Sequence, residues 1–381
     1  MARKSRIDSI FSRWINSAKG YLKKCLYNLS LKMGNFLYAT LKRTRLWTII
    51  SRIYVYNNKG IKRSAEKTIA KYVGKDISTK DYRRYKREIR WAFIIDHWQP
   101  SEYFTYGYRN LSKSEIRNFV TEYEKDSFCT RVNSSRAQEI IGNKCNTYEV
   151  FHEYFRRDVC EVTDFEKDRE TIEAFVAKHH RFVAKPNKES IGRGICFIEN
   201  GNLDAVQSLT KEYRSGLILE ELIQQDATMA MFNPDSVNTV RVPTFTKDGA
   251  VHILPPIAKF GRKGIRMDHS GKGGLFASVD RKTGQLFNVL DRHLNKYAVH
   301  PDSGVKIEGF VLPQWDECLA IVRKQALVIP EAQYVGWDMA YSTKGWLLVE
   351  GNSRGQLFTQ QASLRKGIKD EFLKVDPRCF D

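Results

Sequence analysis

The sequence predicts an α+β protein behind a basic, mainly helical N-terminal extension, and three observations lead there. Residues 181–199 and 335–356 read as strand–turn–strand hairpins, other stretches carry apolar residues at helical spacing, and the net charge of +19 in 381 residues is confined to one end. Residues 1–90 hold 24 Lys and Arg against 5 Asp and Glu, which leaves 39 of each sign for the rest of the chain. The expected organisation is a basic extension (1–90), an aromatic-rich helical connector (91–130), a main domain (131–365) with a hinge near 217–226, and a C-terminal tail (366–381).

Within the extension, Phe11, Trp14, Ile15, Ala18, Leu22 and Leu26 recur at helical spacing, with Arg13, Lys19, Lys23 and Lys24 mainly on other faces. This is a basic amphipathic helix, and no run approaches the length of about 20 apolar residues that spans a bilayer. Its aligned apolar face is of no use against a phosphate backbone. Residues 1–59 are therefore expected to meet an anionic membrane surface rather than nucleic acid, with packing on the protein core as the other use of that face. In the connector, Ser112 and Glu115 form a capping box. Ile116, Phe119, Val120 and Tyr123 form an apolar stripe expected to belong to one helix. Residues 151–178 and 313–329 also read as helices. Seven cysteines, odd in number and without a CxxC pair, point to reduced thiols and a cytoplasmic compartment, where the basic helix would give the protein a peripheral place on the inner face of the membrane.

The richest stretch is VGWDMAYSTKGWLLVEGNSRGQ, Val335 to Gln356. A turn at Thr343-Lys344-Gly345 sets Asp338 opposite Glu350, where directly opposed side chains stand about 4.5 to 5.5 Å apart. Asn352 falls on the same face by the period of two. Two carboxylates so placed repel unless a cation joins them, and Asp, Glu and Asn oxygens suit Mg²⁺; a solvated hairpin with incidental acids is the plainer alternative. Upstream, RFVAKPNKESIGRGICFIE (181–199) places Lys185 on a strand before a loop containing Gly192 and Gly194. It lacks the Gly-Lys-Ser/Thr of a P-loop and the third glycine of a dinucleotide fingerprint, and a protein kinase would place its lysine on a later strand. The loop is either an ordinary glycine turn or a cover for phosphates, with Lys185 as a point charge. A third stretch, LILEELIQQD (217–226), is a buried strand ending in Glu220-Glu221, either an exposed strand end or a hinge where an adenine ring meets Glu221 to Ile223 and a nearby acid, Glu220 or Asp226.

A lysine before a glycine hairpin, an acidic hinge and a terminal D…E.N strand pair, in that order, resemble the ATP-grasp superfamily. NPDSVNTVRV (233–242), GKGGLFASVD (271–280), VHPDSG (299–304), VGWDMA and LVEGN resemble its sugar-transfer associated branch. The resemblance implies a two-lobed ATP-grasp fold clasping Mg-ATP, and a ligase that activates a carboxylate as an acyl phosphate for an amine or hydroxyl to displace. The substrate it implies is a small molecule or a surface-glycan precursor. It further implies phosphate-binding roles for Lys144 and Lys185, a phosphate cover at Gly192 and Gly194, an adenine hinge at Glu220, Glu221 and Ile223 with Asp226 nearby, and Mg²⁺ ligands Asp338, Glu350 and Asn352. Arg241 would face the transferred phosphate. Lys259 stands where the branch has arginine, and Asp268-His269 where it has aspartate-asparagine; both departures fall on the acceptor side. Phosphoryl transfer to a sugar hydroxyl could use the same nucleotide site, and a basic membrane or nucleic-acid binding protein with a vestigial fold is the non-enzymatic alternative.

Overall fold

A computed structural model describes residues 59–189, 192–266 and 273–380. The amphipathic helix expected within 1–32 and the pair Asp268-His269 lie outside the described residues. The chain divides into two compact units after Ser101. The first contains helices α1 (Lys59–Tyr72) and α2 (Thr79–Asp96), joined by an exposed Lys86–Glu66 ion pair. Ser78 caps α2 through the Asp81 amide, and left-handed His97 ends it.

In the second unit the expected helix from Ser112 begins with its capping box but stops early. Helix α3 (Lys113–Asn118) ends at extended Phe119, and a second capping box, Thr121 with Glu124, starts α4 (Glu122–Val132). Buried Phe119 and Val120 therefore occupy a break, and Tyr123 is exposed. Thr121 outcompetes the continuous helix because its side chain satisfies the Glu124 amide while Glu124 satisfies the Thr121 amide. Helices α5 (Ser135–Gly142) and α6 (Lys144–Phe155) follow. The expectation of helix through 151–178 is corrected, because β1 (Val159–Val162) interrupts it before α7 (Arg169–Lys178). Val-Cys-Glu-Val alternates by burial and pairs with a later strand, so sheet pairing overrides helical propensity there.

Among the described residues the strands form two sheets. The smaller has the order β1-β4-β2-β3, with β2 (Phe182–Pro186), β3 (Cys196–Ile198) and β4 (Leu217–Glu221) all in antiparallel pairing. Its buried face, with Phe182, Ala184, Leu217 and Leu219, packs against Ile172 and Phe175 of α7. The larger has eight strands, ordered β10-β9-β8-β7-β5-β11-β12 with β6 beside β5. They are β5 (Thr239–Lys247), β6 (Ala250–Ile253), β7 (Ile257–Phe260), β8 (Leu275–Val279), β9 (Leu286–Asp291), β10 (Lys296–Tyr297), β11 (Tyr334–Ser342) and β12 (Gly345–Asn352). Trp337, Trp346, Phe151 and Phe232 fill the core behind it, together with Cys318, Val322 and Ala326 of α8 (Trp315–Val328), the helix expected at 313–329. Residues near the C-terminus, Ile368, Phe372 and Cys379, join a third cluster with Phe128, Phe245 and Tyr334. Among the described residues no helix is long and apolar enough to cross a membrane.

Candidate functional site

The β11–β12 hairpin forms as expected, but its register is reached by a different route. The turn is shorter than read: Ser342 pairs with Gly345 across Thr343-Lys344, and Gly345 takes the left-handed φ of 81° that a side chain would resist. That register alone would set Asp338 opposite Val349. A β-bulge between the Met339–Leu348 and Asp338–Glu350 pairs leaves Val349 unopposed and brings Glu350 opposite Asp338.

On its other side Asp338 faces Arg241 of β5, and the next strand, β7, carries Lys259. Lys259, Arg241, Asp338 and Glu350 thus stand on four adjacent strands. Arg241 forks onto buried Asp338, Nε to Oδ1 at 2.8 Å and Nη2 to Oδ2 at 2.6 Å, while Lys259 Nζ reaches Oδ1 at 3.0 Å. The Asn352 amide approaches Oδ2 at 3.4 Å. Burial would raise the Asp338 carboxyl, but Arg241 and Lys259 outweigh it and hold the group well below the usual carboxylate range. The reading that only a bound cation could relieve Asp338 and Glu350 is therefore corrected, since two protein cations already balance Asp338. Half-buried Glu350 has no ion pair among the described residues. Its carboxylate and the Asn352 side-chain oxygen are hard donors, a set that fits Mg²⁺, which commonly takes one or two carboxylates and completes its shell with water and phosphates.

The smaller sheet builds a second charged centre. Cross-strand neighbours on β2 and β4 bring Lys185 Nζ to Glu220 Oε1 at 2.8 Å, and Arg157 donates to Glu220 Oε2 from Nε at 2.8 Å and Nη2 at 2.5 Å. Glu220 is buried, which opposes its ionisation, yet Arg157 and Lys185 bring its pKa down to about 2. Both of its oxygens are thus engaged. Lys144 opens α6, and its ammonium donates to the Glu189 carbonyl at 2.6 Å, beside the glycine loop. Burial lowers its pKa, and the charges that act on it include Glu350, Lys185 and Glu220. Lys144 and Lys185 therefore share one electrostatic neighbourhood with the hairpin acid. Gly192 and Gly194 both have left-handed φ, 69° and 70°.

Beyond Glu221 the segment expected to act as a hinge pairs with the hairpin tip: the Thr343 amide donates to the Gln224 carbonyl, and the Asp226 amide donates to the Tyr341 carbonyl. Half-buried Ile223 lies just past the end of β4. Asp226 accepts from the amide and hydroxyl of Thr228, which lower its pKa and make it the N-cap of a short helix, Ala227–Ala230. Glu221 accepts from the Asp158 amide at 2.9 Å and lies 3.4 Å from Lys344 Nζ. Asp158 in turn binds Lys178 and His179. Sequence reasoning missed Arg157 and Asp158. The only local signal was an Arg-Arg-Asp run between a helix and an alternating strand, and Arg157's carboxylate partner is 63 residues away.

The profile of the sugar-transfer associated ATP-grasp family matches residues 123–376. The chain belongs to that family, and with it to the ATP-grasp enzymes. Among solved structures it is similar to N5-carboxyaminoimidazole synthetase of Staphylococcus aureus, at 12% identity and TM-score 0.41, covering 64% of this chain and 53% of that one. It is also similar to D-alanyl-alanine synthetase A of Vibrio cholerae, at 11% identity and TM-score 0.40 over 65% and 66% of the respective chains. A third is the VanG D-Ala:D-Ser ligase of Enterococcus faecalis, at 15% identity and TM-score 0.41 over 64% and 62%. The chain spans about half to two thirds of the length of these solved chains. No curated protein sequence matches it.

Proposed function

We propose that the chain is a Mg-ATP-dependent carboxylate ligase. The observation that supports this reading is the row Lys259–Arg241–Asp338–Glu350 across four strands, with Lys144 and Lys185 in the same electrostatic neighbourhood. Four cations gathered with Asp338, Glu220 and the unpaired Glu350 suit a triphosphate meeting a second anion. Lys144 and Lys185 would bind phosphate oxygens beneath the loop of Gly192 and Gly194, while the purine would lie along Glu221 to Ile223, with Asp226 near its ribose. Because both Glu220 oxygens are engaged, Glu220 would hold Lys185 rather than the purine. Glu350 and Asn352, with Asp338 behind them, would hold Mg²⁺, which when bound supplies neutralising charge to the phosphates.

In the reaction a substrate carboxylate oxygen attacks the γ-phosphorus, the bond to the β–γ bridging oxygen breaks, and ADP leaves. An amine or hydroxyl then attacks the acyl carbon, phosphate departs, and the nucleophile loses its proton. Arg241 would face the transferred phosphoryl group, with Lys259 on the acceptor side, so the chain contributes position and fixed charge rather than a nucleophile. The family's association with sugar transfer supports a carboxylate or amine borne by a glycan precursor, and residues 1–59 would hold the enzyme at an anionic cytoplasmic membrane face.

The test is to screen carboxylates and amines with the full-length chain and Mg-ATP. A ligase releases ADP and phosphate in step with an amide or ester. ADP with a phosphorylated acceptor and no free phosphate would replace this reading with a kinase, and absence of carboxylate-stimulated turnover across the screen would refute the ligase.

A further inference from the structure

Glu220 divides its two oxygens between two cations of unequal freedom. Arg157 is sealed in: its side chain is 2% exposed, both contacts to Glu220 fall on Oε2, and Nη1 donates to the carbonyls of Phe155 at 3.1 Å and Leu348 at 2.6 Å. Lys185 Nζ meets Oε1 at 2.8 Å, and its side chain is 12% exposed. Leu348 lies on β12, two residues before Glu350, so one guanidinium ties the lysine's carboxylate to the strand bearing the unpaired acid.

We infer that Arg157 is a positioning residue for nucleotide binding, which leaves Lys185 free to move from Glu220 to a phosphate. The inference rests on the assignment of Lys185 to the phosphates. A buried carboxylate with one cation grips it, because departure would strand the charge in a poorly solvating interior. With Arg157 fixed on Oε2, Glu220 keeps a full counter-charge when Lys185 turns away. Without Arg157, Lys185 becomes the sole counter-ion and a phosphate must compete with Glu220 for it. Arg157 never touches the ligand, and its effect passes through Glu220.

This predicts an uncommon pattern of suppression. On the full-length protein, ATP affinity is measured by equilibrium titration, and folding by thermal melt, for wild type, Lys185→Ala, Arg157→Met, Arg157→Lys and the double variant Arg157→Met/Glu220→Gln. Arg157→Met should weaken ATP binding by about tenfold or more, the effect of roughly one lost charge-assisted contact. Adding Glu220→Gln should restore affinity to within about threefold of wild type, because it removes the grip on Lys185. Arg157→Lys should fall between, and it carries the comparison with wild type if Arg157→Met does not fold. Two patterns overturn the positioning role: ATP affinity indifferent to Arg157, or a folded double variant binding no better than the folded single variant. If Lys185→Ala binds ATP as wild type does, the phosphate assignment itself is wrong and the inference falls with it. Lys185 dependence without suppression would instead overturn the positioning role alone.

Discussion

Asp338 and Glu350 face each other across one hairpin, yet the structure predicts that neutralising them has unlike consequences. Asp338→Asn keeps the shape of the side chain and removes the anion that Arg241 binds through two nitrogens and Lys259 through one. Arg241 and Lys259 are 17% and 16% exposed at the side chain, so both would be left as poorly solvated cations. Removing one partner from such a pair costs about 3–5 kcal/mol. For a unit of this size that lowers the melting temperature by on the order of 10 °C. Glu350→Gln removes a half-buried carboxylate without an ion pair among the described residues, and its effect should stay within about 1 kcal/mol.

The assay is thermal and urea unfolding of both variants at pH 7, with a chelator and without nucleotide, so that ligand binding adds nothing to either state. The pH dependence supplies a second arm. The folded Asp338 carboxyl lies below its unfolded value, so its stabilisation is fully present above the ordinary carboxylate range and lost as pH falls through the folded value. The gap between wild type and Asp338→Asn should therefore narrow below about pH 4. Equal melting temperatures for the two variants, or an Asp338→Asn protein more stable than wild type, would refute the assignment of Arg241 and Lys259 as the counter-ions.

Glu220 offers a parallel case: its pKa of about 2, against 4.5 for the free group, corresponds to about 3 kcal/mol. Its pKa is depressed, so Glu220→Gln should lie below wild type by that amount at pH 7 and converge with it between about pH 4.5 and 2; a pH-independent gap in urea unfolding contradicts this. Gly194→Ala should destabilise by at least about 1–2 kcal/mol, because the residue has φ 70° and a Cβ would stand 2.6 Å from Pro186 Cγ and 2.8 Å from Tyr213 Oη. An unchanged melting temperature would show that the loop relaxes freely. Finally, full-length protein should co-sediment with anionic liposomes, less so at high salt, and deletion of residues 1–59 should abolish this while sparing ATP binding. Equal partitioning of the two forms excludes the membrane role, and loss of folding on truncation indicates core packing.

What could be read from the sequence and what could not differ by the range of the interactions involved. The hairpin opposition of Asp338 and Glu350 was legible because alternation and a turn act within a few residues, although the short turn and the compensating bulge were not separable by counting. The capping box at Ser112 was legible for the same reason. Its continuation as one helix was not, because the Thr121 box competes at equal range and an apolar stripe does not reveal which prevails. The ion pairs were beyond reach: Arg241 lies 97 residues from Asp338, Lys259 lies 79 away, and Arg157 lies 63 from Glu220. Strand order alone brings these residues together. Two carboxylates seen locally therefore read as an unbalanced anionic site, whereas the sheet that juxtaposes them also delivers the balancing cations. A motif identifies which acids share a face, but their charge state belongs to the neighbouring strands. That is why neutralising Asp338 should cost stability, while neutralising Glu350 should leave it nearly unchanged.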